Sequence, residues 1–457
     1  MARPLITAAL SRWVAHAPRI RRKPALALAK AAMKDIVACM IAGASDPAAL
    51  RVGQAARSWG KGPCTIVGQK FALPPPAAAL VNATAAHALD YDDNFHPQAG
   101  HATAVLAPAV LAVSEGRNLP AHAALDAYIV GLEVLARIGE GVNLVHYERG
   151  WHSTSTLGAM GAAAACARLL GLRAEGVNAA ISLGFSMAGG SKLQFGTMAK
   201  PVHAGLAAQH GVMAADLAAR GITAAPEPLD GPWGFRDLFA GPASPGFARS
   251  AARIGGRLAV ERYGLKAKIH PGCASTHCAI DAVLALREEH GLMPAQVERI
   301  DITVNRMSYD NLMYPQPATE LEARFSMQYC VAVALLHGRL ALDDFTPAAI
   351  RRAAVRRWLP KIRMRHTRPG SKLSLVENGR EPAIAMITLK GGRKLERFVQ
   401  YPKGVLQAPL SAEELDAKLD DCARGRLRPK QLGALRALLD RFEELPDVRG
   451  LMRLLQR

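Results

Sequence analysis

The sequence predicts a mainly α-helical protein in which a shorter α+β segment interrupts two helical stretches. From about residue 25 to 240, alanine-rich runs recur, and most end at glycine, which takes the left-handed position past a helix at least cost. After about residue 265 the pattern shifts to period two, as in "RIDITVN" (299–305), where Ile300, Ile302 and Val304 alternate with polar residues. From "PLSAEELDAKLDDCARG" the chain is helical again, with Ser411 and Glu414 spaced as a capping box. A chain of 457 residues exceeds one ordinary core. The divisions fall at 1–266, 267–402 and 403–457, with the tail expected to return to the first domain.

The elements follow in order. "ALALAKAAMKDIVACMIAG" has helical periodicity with Gly43 as its stop, and is expected to be the first helix. Eight Lys and Arg residues precede the first acid, Asp35, a bias that transit peptides share, but no apolar signal core follows. "HATAVLAPAVLAVSEG", "AHAALDAYIVGLEVLARIGEG", "TLGAMGAAAACARLLGL" and "VHAGLAAQHGVMAADLAARG" read as helices whose small faces allow close approach. Residues 225–247, with Pro and Gly throughout, read as a long ordered loop. In the middle segment, "SMQYCVAVALLHG" is a helix closed by Gly338. "AIAMITLK-GG-RKLERFVQY" is a hairpin turning on Gly391 and Gly392.

Composition removes several function classes. Half the residues are apolar and 21% are charged, so the chain should fold. Seven scattered cysteines, none spaced CxxC, fit reduced thiols in a cytoplasmic protein. No apolar run reaches the roughly 18 residues of a membrane span. The net charge of +19 invites a nucleic-acid reading, but aromatics are only 5% and do not interleave with basic runs such as 351–368. A field drawing in an anionic substrate accounts for the charge better, and no nucleic-acid partner is expected. Dinucleotide, P-loop and zincin motifs are absent.

The polar residues that carry chemistry cluster. "HALDYDDNFHPQAGHATAV" (87–105) holds His87, Asp90, Asp92, Asp93, His96 and His101 around the end of one helical run. Read locally, it is a helix end, an acid–base site or a metal site. "GWHSTSTLG" sets His152 before an Ala/Gly helix, with Ser153, Thr154 and Ser155 as possible caps. "FGTMAKPVHAG" puts Lys200 and His203 at a Pro-marked helix start, where N–H groups favour an anion. "KAKIHPGCASTHCAIDA" adds Lys268, His270 and His277 at another start, and "ARFSMQYC" adds Arg324 and Tyr329. Together, cations and imidazoles at helix starts suit a substrate with several carboxylates.

These segments, with "NATAAHALDYDD" and "HPGCASTHCAIDA" among them, resemble in order those of the MmgE/PrpD family, over about residues 25–420. The resemblance implies a large all-helical domain built from both chain ends, with a smaller α+β lid inserted and the active site between them. It further implies a homodimer and chemistry without a metal or organic cofactor. Carried over by motif, the site residues are Asp90, Asn94, His101, His152, Lys200, Lys268, His277 and Tyr329; His203 and Arg324 join them as substrate-binding groups. Family members include dehydratases, a decarboxylase and an epimerase. His101-Ala102 and His152-Ser153 depart from the His-Pro common in the dehydratase and decarboxylase branches. The interval from Asp90 to His101 looks like the epimerase branch, and Tyr329 like the lyases.

All these reactions move a proton at carbon beside a carboxylate, and the developing charge needs preorganised cations. Lys200 and Lys268 are expected to converge and depress one another's pKa, so that one serves as base. Tyr329 is expected as an acid and Asp90 as the orienter of a histidine or lysine, His101 foremost. The leading expectation is a lyase on a small di- or tricarboxylate anion, by dehydration or decarboxylation, with an imino-dicarboxylate epimerase as the alternative.

Overall fold

The computed structural model describes residues 6–368, 370, 371, 373 and 381–456; part of the basic N-terminal reading, at Arg3, lies outside them. The protein is mainly α-helical. The chain divides into two compact units: Met1–Ala88, Asp92–Lys266 and Ala412–Arg457 form the first, Leu89–Tyr91 and Ala267–Ser411 the second.

In the first unit, α1 (Ile6–His16), α2 (Lys23–Gly43) and α3 (Pro47–Arg57) lead to a two-stranded ribbon of β1 (Cys64–Thr65) and β2 (Ala72–Leu73). The expected first helix is therefore the second. Helix α1 buries Ile6, Leu10 and Val14, spaced four apart on one face. There follow α4 (Pro75–His87), α5 (Ala102–Arg117), α6 (Ala121–Val142), the single turn α7 (Val145–Glu148), α8 (Ser153–Leu169), α9 (Ala174–Ser186) and α10 (Ala199–Ala219). Residues 225–247 are irregular except for one turn, Phe235–Phe239. The tail helix Ala412–Ala423 packs on α2, where Lys418 lies 2.6 Å from Asp35 in a buried ion pair.

Helix α10 is the hub, packed between α8 and α4. Glycine makes that possible. A Cβ at Gly205 would overlap Thr84 and the Leu80 carbonyl of α4, and one at Gly211 would overlap Ala162 of α8. The absence of side-chain bulk lets α4, α8 and α10 approach more closely than Leu-filled faces would allow.

The second unit carries a four-stranded sheet in the order β4-β3-β5-β6, where β3 is Val297–Val304, β4 Ile362–His366, β5 Ala383–Leu389 and β6 Lys394–Val399. Ile300, Ile302 and Val304 of β3 are buried as the alternation requires, paired in register with Ile387, Ala385 and Ala383. Asp301 is almost as buried and meets Arg299 at 3.0 Å. Strand β4 lies within the basic run and pairs in parallel with β3, which requires the crossover that includes helix Met327–His337. Ser326 caps that helix and Gly338 ends it in the left-handed region (φ 69°). The β5–β6 connection spans 390–393 rather than two residues, with Gly391 and Gly392 both at positive φ.

Candidate active site

In the first unit one helix end and three helix starts supply the side chains. His87 closes α4, His101 and His152 are the residues before α5 and α8, Lys200 lies in the first turn of α10 and His203 begins its second. The starts are tied together: the His101 amide donates to Thr154 Oγ1 (3.1 Å), and a Cβ at Gly100 would crowd the Thr154 backbone. His152 stands just before α8 as expected and takes the N-cap position without a side-chain cap bond, so Ser153–Ser155 are not the cap. The Ser153 hydroxyl meets His146 Nδ1 (3.1 Å) instead, and Thr154 receives the His101 amide.

The rings form one cluster. His87 and His101 lie 4.3 Å apart between centroids, His87 and His152 6.0 Å, and His152 and His203 5.3 Å. Lys200 Nζ stands 3.0 Å from His87 Nε2. Asp92 lies below both imidazoles: its Oδ2 is 2.9 Å from His87 Nδ1 and 3.0 Å from His101 Nδ1. Asn94 Nδ2 is 3.3 Å from His101 Nε2, and the two Nδ1 atoms of His152 and His203 are 3.0 Å apart.

The charges follow from burial and neighbours. Burial, with Lys200 alongside, brings His87 down to about 4 even though Asp92 opposes the shift. Burial, then His87 and Lys200, bring His203 to about 4, and burial with Lys200 holds His152 well below its ordinary value. Burial alone would raise the Asp92 carboxyl, but His87 and His101 outweigh it and hold it well below the usual range. At neutral pH burial keeps His87, His152 and His203 uncharged around Lys200 and the Asp92 carboxylate, and His101, His152 and Lys200 stand at helix N-termini, the positive ends. Such a place accepts an anion and can take up or deliver a proton.

His87, Asp92 and His101 bring nitrogen and oxygen atoms close enough to hold a metal ion. The Lys200 ammonium, 3.0 Å from His87, opposes a cation there. The donor set alone fits a metal; its electrostatic setting fits an anion.

The expected residues of the second unit do different work. Lys268 is fully buried and donates to the Asp90 carbonyl at 2.8 Å, while its Nζ lies 2.5 Å from Asp90 Oδ1. Asp90 sits at φ 50°, a left-handed position that Asp tolerates. Asp90 thus faces a lysine, Lys268, while in the first unit a second carboxylate, Asp92, lies against His101. Arg324 donates to the Leu89 carbonyl (2.7 Å) and stacks over Phe345. Tyr329 is corrected as an acid. It is enclosed in the apolar core of the unit, its hydroxyl donates to the Asp344 carbonyl, and burial raises its pKa. His277 is fully buried with its ring 5.3 Å from His270, which meets Asp281 at 2.9 Å.

Two members of the first-unit cluster, His87 and Asp92, were not among the expected site residues. Their signal was present in the spacing. A His at a helix C-terminus with Asp five residues on can fold back onto its own ring, whereas "DYDD" alone offers three equivalent aspartates.

Known proteins match this chain along most of its length. The MmgE/PrpD N-terminal domain matches residues 8–248, and the MmgE/PrpD C-terminal domain matches residues 270–443. The cis-aconitate decarboxylase of Mus musculus is 31% identical over 403 residues, covering 84% of this chain and 79% of that protein. That of Homo sapiens is 31% identical over 412 residues, covering 86% and 82%. A cis-aconitate decarboxylase of Aspergillus terreus is 26% identical over 478 residues, covering 98% and 96%.

Proposed function

The chain belongs to the MmgE/PrpD family, and on that premise we propose that it is a lyase that decarboxylates cis-aconitate or a close tricarboxylate analogue. One observation carries the reading: a buried lysine, Lys200, lies among imidazoles that burial keeps neutral, one at a helix end and two at helix starts, in a chain similar to cis-aconitate decarboxylases over most of its length.

The chemistry asks for what this cluster offers. When an allylic carboxylate leaves as CO₂, the electron pair of the broken C–C bond becomes the new double bond. The old double bond then takes a proton at the carbon beside a remaining carboxylate. Negative charge builds on that carboxylate as the reaction proceeds, and fixed donors stabilise it. Lys200 and the starts of α8 and α10 supply them. In this reading His101 hands over the proton, since Asp92 stabilises its charged form, while His152, held neutral, binds the substrate. An epimerase would need the same proton transfer and no carbon loss, which the relatives' activity does not favour.

The experiment is a reaction of the purified chain with cis-aconitate in D₂O, followed by proton NMR with CO₂ trapping. We expect one CO₂ and one deuterium on carbon per turnover, and activity that survives EDTA. Exchange without CO₂ would establish the epimerase instead, and water loss from a citrate-like acid the dehydratase. The proposal includes a cytoplasmic homodimer, which light scattering checks as twice the chain mass and fractionation checks for location.

A further inference from the structure

His87 has no part in the steps above, yet it occupies the middle of the cluster and is 1% exposed. Hydrogen-bond direction decides its state. An ionised carboxylate can only accept, so the one proton of the neutral His87 ring faces Asp92, and Nε2, 3.0 Å from Lys200 Nζ, accepts. The ring proton therefore sits on Nδ1 and is donated to Asp92 at 2.9 Å. Asp92 Oδ2 also meets His101 Nδ1. The resulting order is Lys200 to His87 to Asp92, with His101 on the carboxylate's other side.

We propose that His87 is a positioning residue that fixes Lys200 and closes one end of the proton path. One N–H of Lys200 is committed to Nε2, so the ammonium points its other hydrogens in set directions. A second proton on His87 would place an N–H against that ammonium, which the 3.0 Å separation disfavours. A proton gained by His101 in turnover thus stays on His101 beside Asp92 and does not pass on to His87. The catalytic consequence rests on the decarboxylase reading, whereas the tautomer of His87 does not.

Two amide substitutions separate the ring's two ends. The amide of His87→Asn ends near the Nδ1 position and keeps a donor for Asp92, but leaves Lys200 without its acceptor. That of His87→Gln reaches toward Nε2 and keeps the Lys200 contact. We expect His87→Asn to lose roughly 100-fold in kcat with KM within about threefold. The limb of its pH–rate profile that belongs to Lys200 should also move. His87→Gln should stay within about tenfold, with the profile in place. Equal losses in both variants with an unmoved profile would mean that the ring only fills space, and would overturn the proposal.

Nitrogen-15 NMR of the wild-type protein tests the tautomer without any substrate. His87 Nε2 should resonate as unprotonated nitrogen from pH 5 to 8, and a protonated Nε2 would overturn the proposal even in a fully active enzyme. If cis-aconitate is not turned over, the functional reading fails while this measurement still decides the position of the proton.

Discussion

Lys200 and Lys268 are both buried lysines next to polar partners, one in each unit, and their surroundings have little else in common. Lys200 faces imidazoles that burial keeps neutral. Lys268 faces a carboxylate and a backbone carbonyl, and its neighbours are tied in the same manner: Arg324 to the Leu89 carbonyl, Tyr91 to the Ile269 carbonyl, and the Gly272 amide to the Asp90 carbonyl. In one place the partners can change protonation state. In the other the charges are neutralised and the backbone of residues 89–91 is held in position. Burying a lysine therefore says little about its role until its partner is known.

The contrast can be broken in four ways, in decreasing order of effect. Lys200→Met should lower kcat roughly 100- to 1000-fold with an unchanged circular dichroism spectrum, because a donor aimed at developing charge is lost. Asp90→Ala should instead cost about 3 kcal/mol in urea unfolding of the second unit's transition, since it removes the carboxylate that faces the buried Lys268 charge. If Lys200→Met were the one that unfolds the protein, the two roles would be reversed.

The third concerns pH. His87 and His203 bind protons in the unfolded chain near their ordinary 6.5 but in the folded one only near about 4. Their contribution to stability is complete above pH 6.5 and falls away as pH drops toward 4. Asp93 runs the opposite way. Burial, with Asp35 and Asp92 adding to it, raises its carboxyl to about 7 despite the Thr103 hydrogen bond. The folded state therefore holds a proton between pH 4 and 7 that the unfolded state releases, and that contribution is lost as pH rises through 7. Asp93→Asn should steepen the rise in urea midpoint from pH 5 to 7 and gain about 1–2 kcal/mol at pH 8. The smallest effect belongs to Tyr329→Phe: about 1 kcal/mol of stability and a kcat within about threefold. A large fall in kcat there would restore Tyr329 to the chemistry.

What could be read from the sequence divides along the same line. Helices α4, α5, α6, α8 and α10, strand β3 and the β5–β6 hairpin follow from periodicity and glycine stops. Strand β4 did not, because "IRMRH" carries its arginines at alternate positions and reads as a charge cluster. His101, His152, Lys200 and His203 could be found because each stands at a helix start, a local signal. Which aspartate serves His101 could not. Asp90, Asp92 and Asp93 stand within four residues with nothing local to tell them apart, and the partner that Asp90 meets, Lys268, lies 178 positions away. Tyr329 misled for a similar reason: its helix start is real, but the ring turns into the core of its own unit.

Gly205 and Gly211 fill no space, and they matter for that reason. The thickness of the seam between α4 and α10 is the diameter of a bare backbone, and the reach from Lys200 to His87 is measured across it, one turn further along. A single methyl at Gly205 would act as a shim. Thr84 or the Leu80 carbonyl would have to give way, and the offset would be carried along α10 to the amine, lengthening a 3.0 Å contact. The chain thus calibrates a hydrogen bond with atoms it leaves out, at a distance from the groups that make it.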